Sequence, residues 1–199
     1  MEVRNVKIAL ACDHAGYPLK EEVKRFLLEG HHDVDDFGTA STTPVDYPDV
    51  IYPAALAVSE GRCERGILID GAGYPSAALA NKLFGVNAGV CNDLLSARLS
   101  REHSNTNVLC MGGKIIGSAT ALEIVNIWLT AEFLGGRYAT RLEKVRRIEA
   151  RHLKSPDLVP LKVVTLPDVK HALLNKRSLL ITEETIITPS VLELAREIR

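Results

Sequence analysis

The sequence predicts a doubly wound α/β fold, in which a parallel sheet is covered by helices on both faces. Short apolar runs such as VKIALA, RGILID and NVLCMGG carry the residues that favour strands. These runs are apolar throughout rather than alternating, which is the mark of strands buried on both faces. Longer segments of helical character separate them, and strands that alternate with helices build parallel sheets.

The elements follow in order. Val6 to Ala11 is the first strand, and Pro18 then opens a helix through Leu28, with proline tolerated in the first turn and Gly30 just past the end. HDVDDFG reads as a second strand, YPDVIYPAALAVSEG as a helix, RGILID as the third strand and PSAALANKLFG as the next helix. NAGVC, DLLSARLSREH, NVLCMGG and SATALEIVNIWLTAEFLGG complete the series, and RYATRLEKVRRIEARHLK adds a basic helix. Pro156 and Pro160 flank a short segment that reads as a linker. Residues 1–154 are therefore expected to form the main domain and residues 155–199 a small α/β extension. In that extension LKVVTL and SLLITEE suggest strands, PDVKHALLNK and TPSVLELAREIR helices.

Composition excludes several classes. With 46% hydrophobic residues, 25% charged and a formal net charge of −1, the chain lacks the basic excess of a nucleic-acid binder and the polarity of a disordered protein. No apolar run approaches the roughly 18 residues that span a bilayer, and MEVRNVKIALACDH enters a strand pattern without an export signal. Cys12, Cys63, Cys91 and Cys110 are scattered without a C-x-x-C pair, so neither a disulfide framework nor a zinc site is suggested, and reduced thiols in a cytosol are expected.

In doubly wound folds ligands bind at the carboxyl ends of the strands. That rule directs attention to Cys12-Asp13-His14, to Asp70-Gly71-Ala72-Gly73 and to Asn92-Asp93. The N–H groups of Gly71, Ala72 and Gly73 stand at a helix N-terminus, where an oxyanion is favoured, although a tight strand-to-helix turn needs glycine for steric reasons alone. A basic set accompanies them: His14, His103, Lys114, Arg137 and Arg141. Arg137 and Arg141 are four apart and share a face if the helix already runs there, which lets two guanidinium groups hold one phosphate; a solvated helix face is the plainer reading.

Taken together and in order, ACDHAGYPLK, TPVDYPD, GAGYPSAALANK, SREHSNTNVLCMGGKIIG and WLTAEFLGGRYATR resemble the type B ribose-5-phosphate isomerases and the galactose-6-phosphate isomerase subunits. The resemblance covers roughly the first three quarters of the chain. It implies a Rossmann-like aldose–ketose isomerase for phosphorylated sugars, ribose 5-phosphate foremost, that needs no metal or other cofactor. It also implies a homodimer, or a dimer of dimers, with the active site shared between subunits. By motif, Asp13, His14, Asp46 and Tyr47 would contact the substrate, as would the loop Gly71, Ala72 and Gly73. His103 would donate the proton in ring opening, with Ser104 where the family usually has asparagine. His14, Lys114 and, from the neighbouring subunit, Arg137 and Arg141 would bind phosphate.

The resemblance also exposes a departure. Type B ribose-5-phosphate isomerases commonly carry a cysteine base at the position of Asp70 and a G-T-G-x-G loop where this chain has GAGYP; the pattern of an aspartate before the glycines looks more like the galactose-6-phosphate isomerase A subunit. An enediolate needs a base within reach of two carbons and donors for the developing oxyanion. Asp70 fits as that base or as a cap of the glycine loop and helix. Cys12 and Cys91 rank behind it, since both read equally well as small buried hydrophobes. Two functions are thus expected: an active isomerase, or a sugar-phosphate-binding or scaffold protein that has lost the base. In the extension, SLLITEETIITPSVLELARE faintly resembles segments of enzymes associated with bacterial microcompartments, and its helix has an apolar side that a tail of this size hardly buries alone.

Overall fold

The computed structural model describes residues 5–152, 163–174, 179, 181 and 185–197. The chain separates into two compact units, Met1–Leu153 and Lys154–Arg199.

The first unit runs β1 (Lys7–Cys12), α1 (Tyr17–Glu29), β2 (Asp33–Asp36), α2 (Tyr47–Ser59), β3 (Arg65–Asp70), α3 (Tyr74–Ala80), β4 (Ala88–Val90), α4 (Leu94–Ser104), β5 (Val108–Gly112), α5 (Ser118–Thr130) and α6 (Gly136–His152). The five strands form one sheet in the order β2-β1-β3-β5-β4, and every pairing is parallel. Strand periodicity splits the apolar runs into two cores. Ile8, Leu10, Ile67, Ile69, Leu109 and Met111 face α1 and α5, where they meet Val23, Leu27, Ile124 and Trp128. Ala9, Ala11, Leu68 and Cys110 face the other way, against Ile51, Ala54, Ala55 and Ala57 of α2 and Ala77 and Ala80 of α3. The small residues on that second face let the helices approach closely, while the large side chains fill the first. Truncating one of the large ones to alanine is worth about 2–5 kcal/mol.

Two expected helices are shorter than their sequence patterns: PSAALANKLFG is helical only to Ala80, where Asn81 caps α3, and the helix before Gly135 also ends early. SATALEIVNIWLTAEFLGG is helical only to Thr130, and Ala131 is already extended, with ψ 132°. The Thr130 hydroxyl donates back to the Asn126 carbonyl at 2.8 Å, and the Leu134 N–H donates to the Glu102 carbonyl at 3.1 Å. A β-branched residue that bonds its own preceding turn, followed by a tether to α4, ends the helix where apolar periodicity alone would continue it.

The second unit contains β6 (Val163–Val164) and β7 (Ile186–Ile187), paired in parallel, with α7 (Leu166–Leu174) and α8 (Pro189–Glu197). Asp168 caps α7 by accepting from the Thr165 N–H at 2.8 Å and from the Thr165 hydroxyl. The second strand falls at Ile186–Ile187 rather than in SLLITEE, most of which lies outside the described residues, as does the expected linker at 155–160.

Candidate active site

Because the sheet is wholly parallel, its carboxyl edge collects the loops after β1, β3 and β5. Asp13 ends the first strand, its N–H donating to the Ile69 carbonyl and its Oδ1 accepting from the N–H groups of Ala15, at 2.9 Å, and Gly16, at 3.0 Å. Gly16 lies so close to β3 that a Cβ there would stand 2.2 Å from the Ile69 carbonyl oxygen, which is why the D-H-A-G turn ends in glycine. The Gly113 N–H donates to the Asp70 carbonyl at 2.7 Å and the Lys114 N–H to the Gly71 carbonyl at 3.1 Å. Lys114 thereby lies along the glycine loop, with its Cδ 3.8 Å from the position a Cβ on Gly71 would take. The side chain of Lys114 has no hydrogen-bond or ion-pair partner among the described residues, so its ammonium remains available to an anion.

Asp46 and Tyr47 join the same edge through His14, whose Nδ1 accepts the Val45 N–H at 3.3 Å. Asp46 stands at the N-cap of α2 without a side-chain capping bond, and its carboxylate is exposed. Asp13, His14, Asp46, Tyr47, Asp70, Gly71, Ala72, Gly73 and Lys114 are therefore brought together.

Asp70 is 1% exposed and almost fully engaged. Its Oδ1 accepts from the N–H groups of Ala72, at 2.7 Å, and Gly73, at 2.6 Å, and its Oδ2 from that of Ser76, at 2.8 Å. Gly73 takes a left-handed conformation, φ +85°, that turns these donors inward, and Tyr74 and Pro75 then open α3. A carboxylate offers about four acceptor positions, so one, on Oδ2, is left. Two of the loop donors that the sequence suggests for a ligand, those of Ala72 and Gly73, are thus spent on the chain's own carboxylate.

The cysteines at this edge are poorly suited to proton transfer. Cys12 and Cys91 are both fully buried. Burial pushes the Cys12 thiol up to about 12 and raises that of Cys91 as well, so both are held as neutral thiols.

His103, Ser104, Arg137 and Arg141 lie elsewhere. Helix α4 starts beyond the carboxyl end of β4 and runs back to the amino edge of the sheet, where Asn87, just before β4, donates from Nδ2 to the Ser104 carbonyl. At 1.5 Å per residue this places His103 about 14 Å from the start of α4. At that opposite edge His103 stacks on Tyr138, with ring centroids 4.2 Å apart and planes 9° from parallel. The guanidinium groups of Arg137 and Arg141 lie over the same Tyr138 ring, 4.9 Å and 5.7 Å from its centroid. One chain therefore holds two groups of candidate residues, at opposite edges of one sheet.

Two residues to which the sequence assigns no role prove central. Asn92 donates from Nδ2 to the Ala72 carbonyl at 3.2 Å and accepts the Gly112 N–H on Oδ1 at 2.8 Å, which joins the glycine loop to β5. Its place at a strand end is its only sequence signal. Tyr138 is the other, and its position between the two arginines of GGRYATR is the corresponding one. Among the described residues no group of three or more His, Cys, Asp or Glu side chains could hold a metal ion, and no helix is long and apolar enough to cross a membrane.

Residues 8–145 match the model of the ribose/galactose isomerase family. Ribose-5-phosphate isomerase B of Escherichia coli is 44% identical over 145 residues, which is 73% of this chain and 97% of that protein. The D-erythrulose-4-phosphate isomerase of Pectobacterium atrosepticum is 37% identical over 142 residues, 70% of this chain and 93% of that one. Among solved structures, ribose-5-phosphate isomerase B of Clostridium thermocellum superposes with a TM-score of 0.72 at 46% identity, covering 73% of this chain and 99% of that one. The match ends within α6, and the second unit lies beyond it. With a family match over most of the first unit, relatives this similar and the same parallel sheet, the chain belongs to the ribose/galactose isomerase family.

Proposed function

We propose that the protein interconverts the aldose and ketose forms of a phosphorylated sugar, ribose 5-phosphate and ribulose 5-phosphate foremost, through an enediolate and without a metal or other cofactor. The observation that carries this reading is the convergence of three strand-end loops on one edge, with His14 and Lys114 beside a glycine turn, in a chain of the ribose/galactose isomerase family. In this reading Lys114 and His14 bind the phosphate together with Arg137 and Arg141, His103 protonates the ring oxygen as the sugar opens, and Asp13, Asp46, Tyr47 and Ser104 hold the hydroxyl groups. Asp70 moves the proton between the two carbons through the remaining acceptor position on Oδ2.

Those assignments require two copies of the chain. His103 stands about 14 Å along α4 from its start, at the sheet edge opposite the glycine loop, with Arg137 and Arg141 beside it through Tyr138, farther than one pentose phosphate reaches. A homodimer, or a dimer of dimers, brings the basic edge of one copy to the carboxyl edge of another and completes each site twice. Such symmetric exchange is the ordinary consequence of an isologous interface. The four buried cysteines accord with a cytosolic setting. The second unit, with Leu192 exposed on α8, is read as a contact surface for a neighbouring subunit or a microcompartment partner.

One observation favours a second reading, sugar-phosphate binding without turnover: three backbone donors tie the Asp70 carboxylate into the glycine loop, which gives it a structural task there. Proton exchange in deuterated buffer with a panel of tetrose, pentose and hexose phosphates separates the two. Deuterium at the carbon next to the carbonyl establishes enediolate formation whatever the product. Binding of the same phosphates with no exchange leaves only the second reading.

A further inference from the structure

We propose that Tyr138 is the positioning residue of the basic half-site, its ring orienting His103 and its hydroxyl fixing Arg137. The inference rests on the isomerase reading for what the half-site does, and on geometry alone for how it is held.

Tyr138 lies in the first turn of α6 and His103 in the last turn of α4, helices that approach where the Leu134 N–H meets the Glu102 carbonyl. The imidazole and phenol rings stack at 4.2 Å and 9°. A parallel stack covers a face of the imidazole and leaves its edge, where both nitrogens are, open to a ligand. The phenol does a second job at its rim: Arg137 donates from Nη2 to the Tyr138 hydroxyl at 2.9 Å. Arg141, one turn on, sits over the ring as well. Every cation of this half-site thus takes its position from one aromatic side chain, and no carboxylate competes for either guanidinium in the ion pairs of the described residues.

This arrangement has an energetic consequence. An arginine side chain loses rotamer freedom when a ligand immobilises it. A guanidinium already anchored through one N–H keeps others free for a phosphate and has less of that freedom left to lose. The ring and the hydroxyl carry separable functions, the first for His103 and both for the arginines.

The test uses the full chain and the variants Tyr138→Phe and Tyr138→Ala. Tyr138 is half-buried and outside both cores, so both variants fold. Three quantities are measured: the ring-current shift of the His103 carbon-bound protons by NMR, the affinity for inorganic phosphate, and kcat and KM for ribose 5-phosphate beside erythrulose 4-phosphate. The tetrose carries its phosphate on O4, cannot close a ring and needs no ring opening. Tyr138→Phe should keep the His103 shift and weaken phosphate binding by about three- to tenfold, the effect of one charge-assisted bond near the surface. Tyr138→Ala should abolish the His103 shift and lower kcat for the pentose phosphate more than for the tetrose phosphate. Wild-type phosphate affinity in Tyr138→Phe, or a wild-type His103 resonance in Tyr138→Ala, would overturn the proposal. The NMR and phosphate measurements decide it even if no sugar phosphate is turned over, so failure of the isomerase reading is distinguished from failure of the Tyr138 proposal.

Discussion

Asp70 Oδ1 accepts the Gly73 N–H at 2.6 Å, so the residue that ends β3 also holds the left-handed glycine that starts α3. Oδ1 takes the Ala72 N–H too, and Oδ2 takes that of Ser76. Both oxygens of the carboxylate are therefore engaged by the glycine loop and the first turn of α3.

Asp70→Asn therefore has two effects that need separate measurement. The amide nitrogen donates where the carboxylate accepted, so at least one loop bond is lost and stability should fall by about 1–3 kcal/mol. If Asp70 is the base, proton exchange disappears as well in protein that is still folded. Asp70→Cys then becomes the informative partner, because a thiol restores a base without restoring the cap. Full exchange in folded Asp70→Asn would leave Asp70 with the structural task alone.

Thiol chemistry provides an independent check. Burial raises all four cysteines, Cys12 to about 12 and Cys63 to about 11. At pH 8 iodoacetamide should leave the native protein unlabelled and its proton exchange intact. Inactivation that tracks the alkylation of one cysteine would show that a thiol, and not Asp70, moves the proton.

The support of the carboxyl edge depends on a buried lysine. Lys20, with a side chain 3% exposed, pairs with Asp36 at 2.8 Å and donates to the Thr39 carbonyl at 3.2 Å, while Lys24 pairs with the same Asp36 oxygen. Although burial opposes it, these lysines and the Gly38 N–H hold the Asp36 carboxyl below the usual range. Its stabilising contribution is thus complete above the ordinary carboxylate value of about 3.9 and is lost as pH falls toward the lower folded value. Asp36→Asn should cost about 1.5–3 kcal/mol at neutral pH, because Lys20 keeps its 2.8 Å pair with Glu21 and loses only the charge-assisted bond to Asp36. The acid limb of the stability curve should flatten in that variant. An unchanged limb would remove Asp36 from the account.

The sheet was readable from sequence because its strands are apolar on both faces, and Ile67 to Ile69 have no other way to be buried. HDVDDFG reads as a strand although Asp33, Asp35 and Asp36 carry no apolar signal, and the structure makes it β2. Residue types at strand ends pointed to Asp13, His14 and Asp70. What the sequence could not convey is distance across the fold: His103 and Asp70 lie 33 positions apart and at opposite sheet edges, a separation fixed by the direction of α4 rather than by spacing. The Tyr138 stack was hidden for the same reason, because it depends on α5 ending early and on Leu134 binding α4. Asp70 was ambiguous in sequence because capping and basicity demand the same residue at the same place.

The claim that each site is assembled from two chains is tested most directly by complementation. His14→Ala damages the carboxyl edge and His103→Ala the basic edge, so each homodimer should be nearly inactive in the conversion of ribose 5-phosphate. Co-expression yields mixed dimers in which one site carries both defects and the other carries none. With random pairing, half the dimers are mixed and half of their sites intact, so activity should recover to about a quarter of wild type. Activity no higher than that of the separate variants, in samples shown to contain mixed dimers, would contradict the account and place the whole site within one chain.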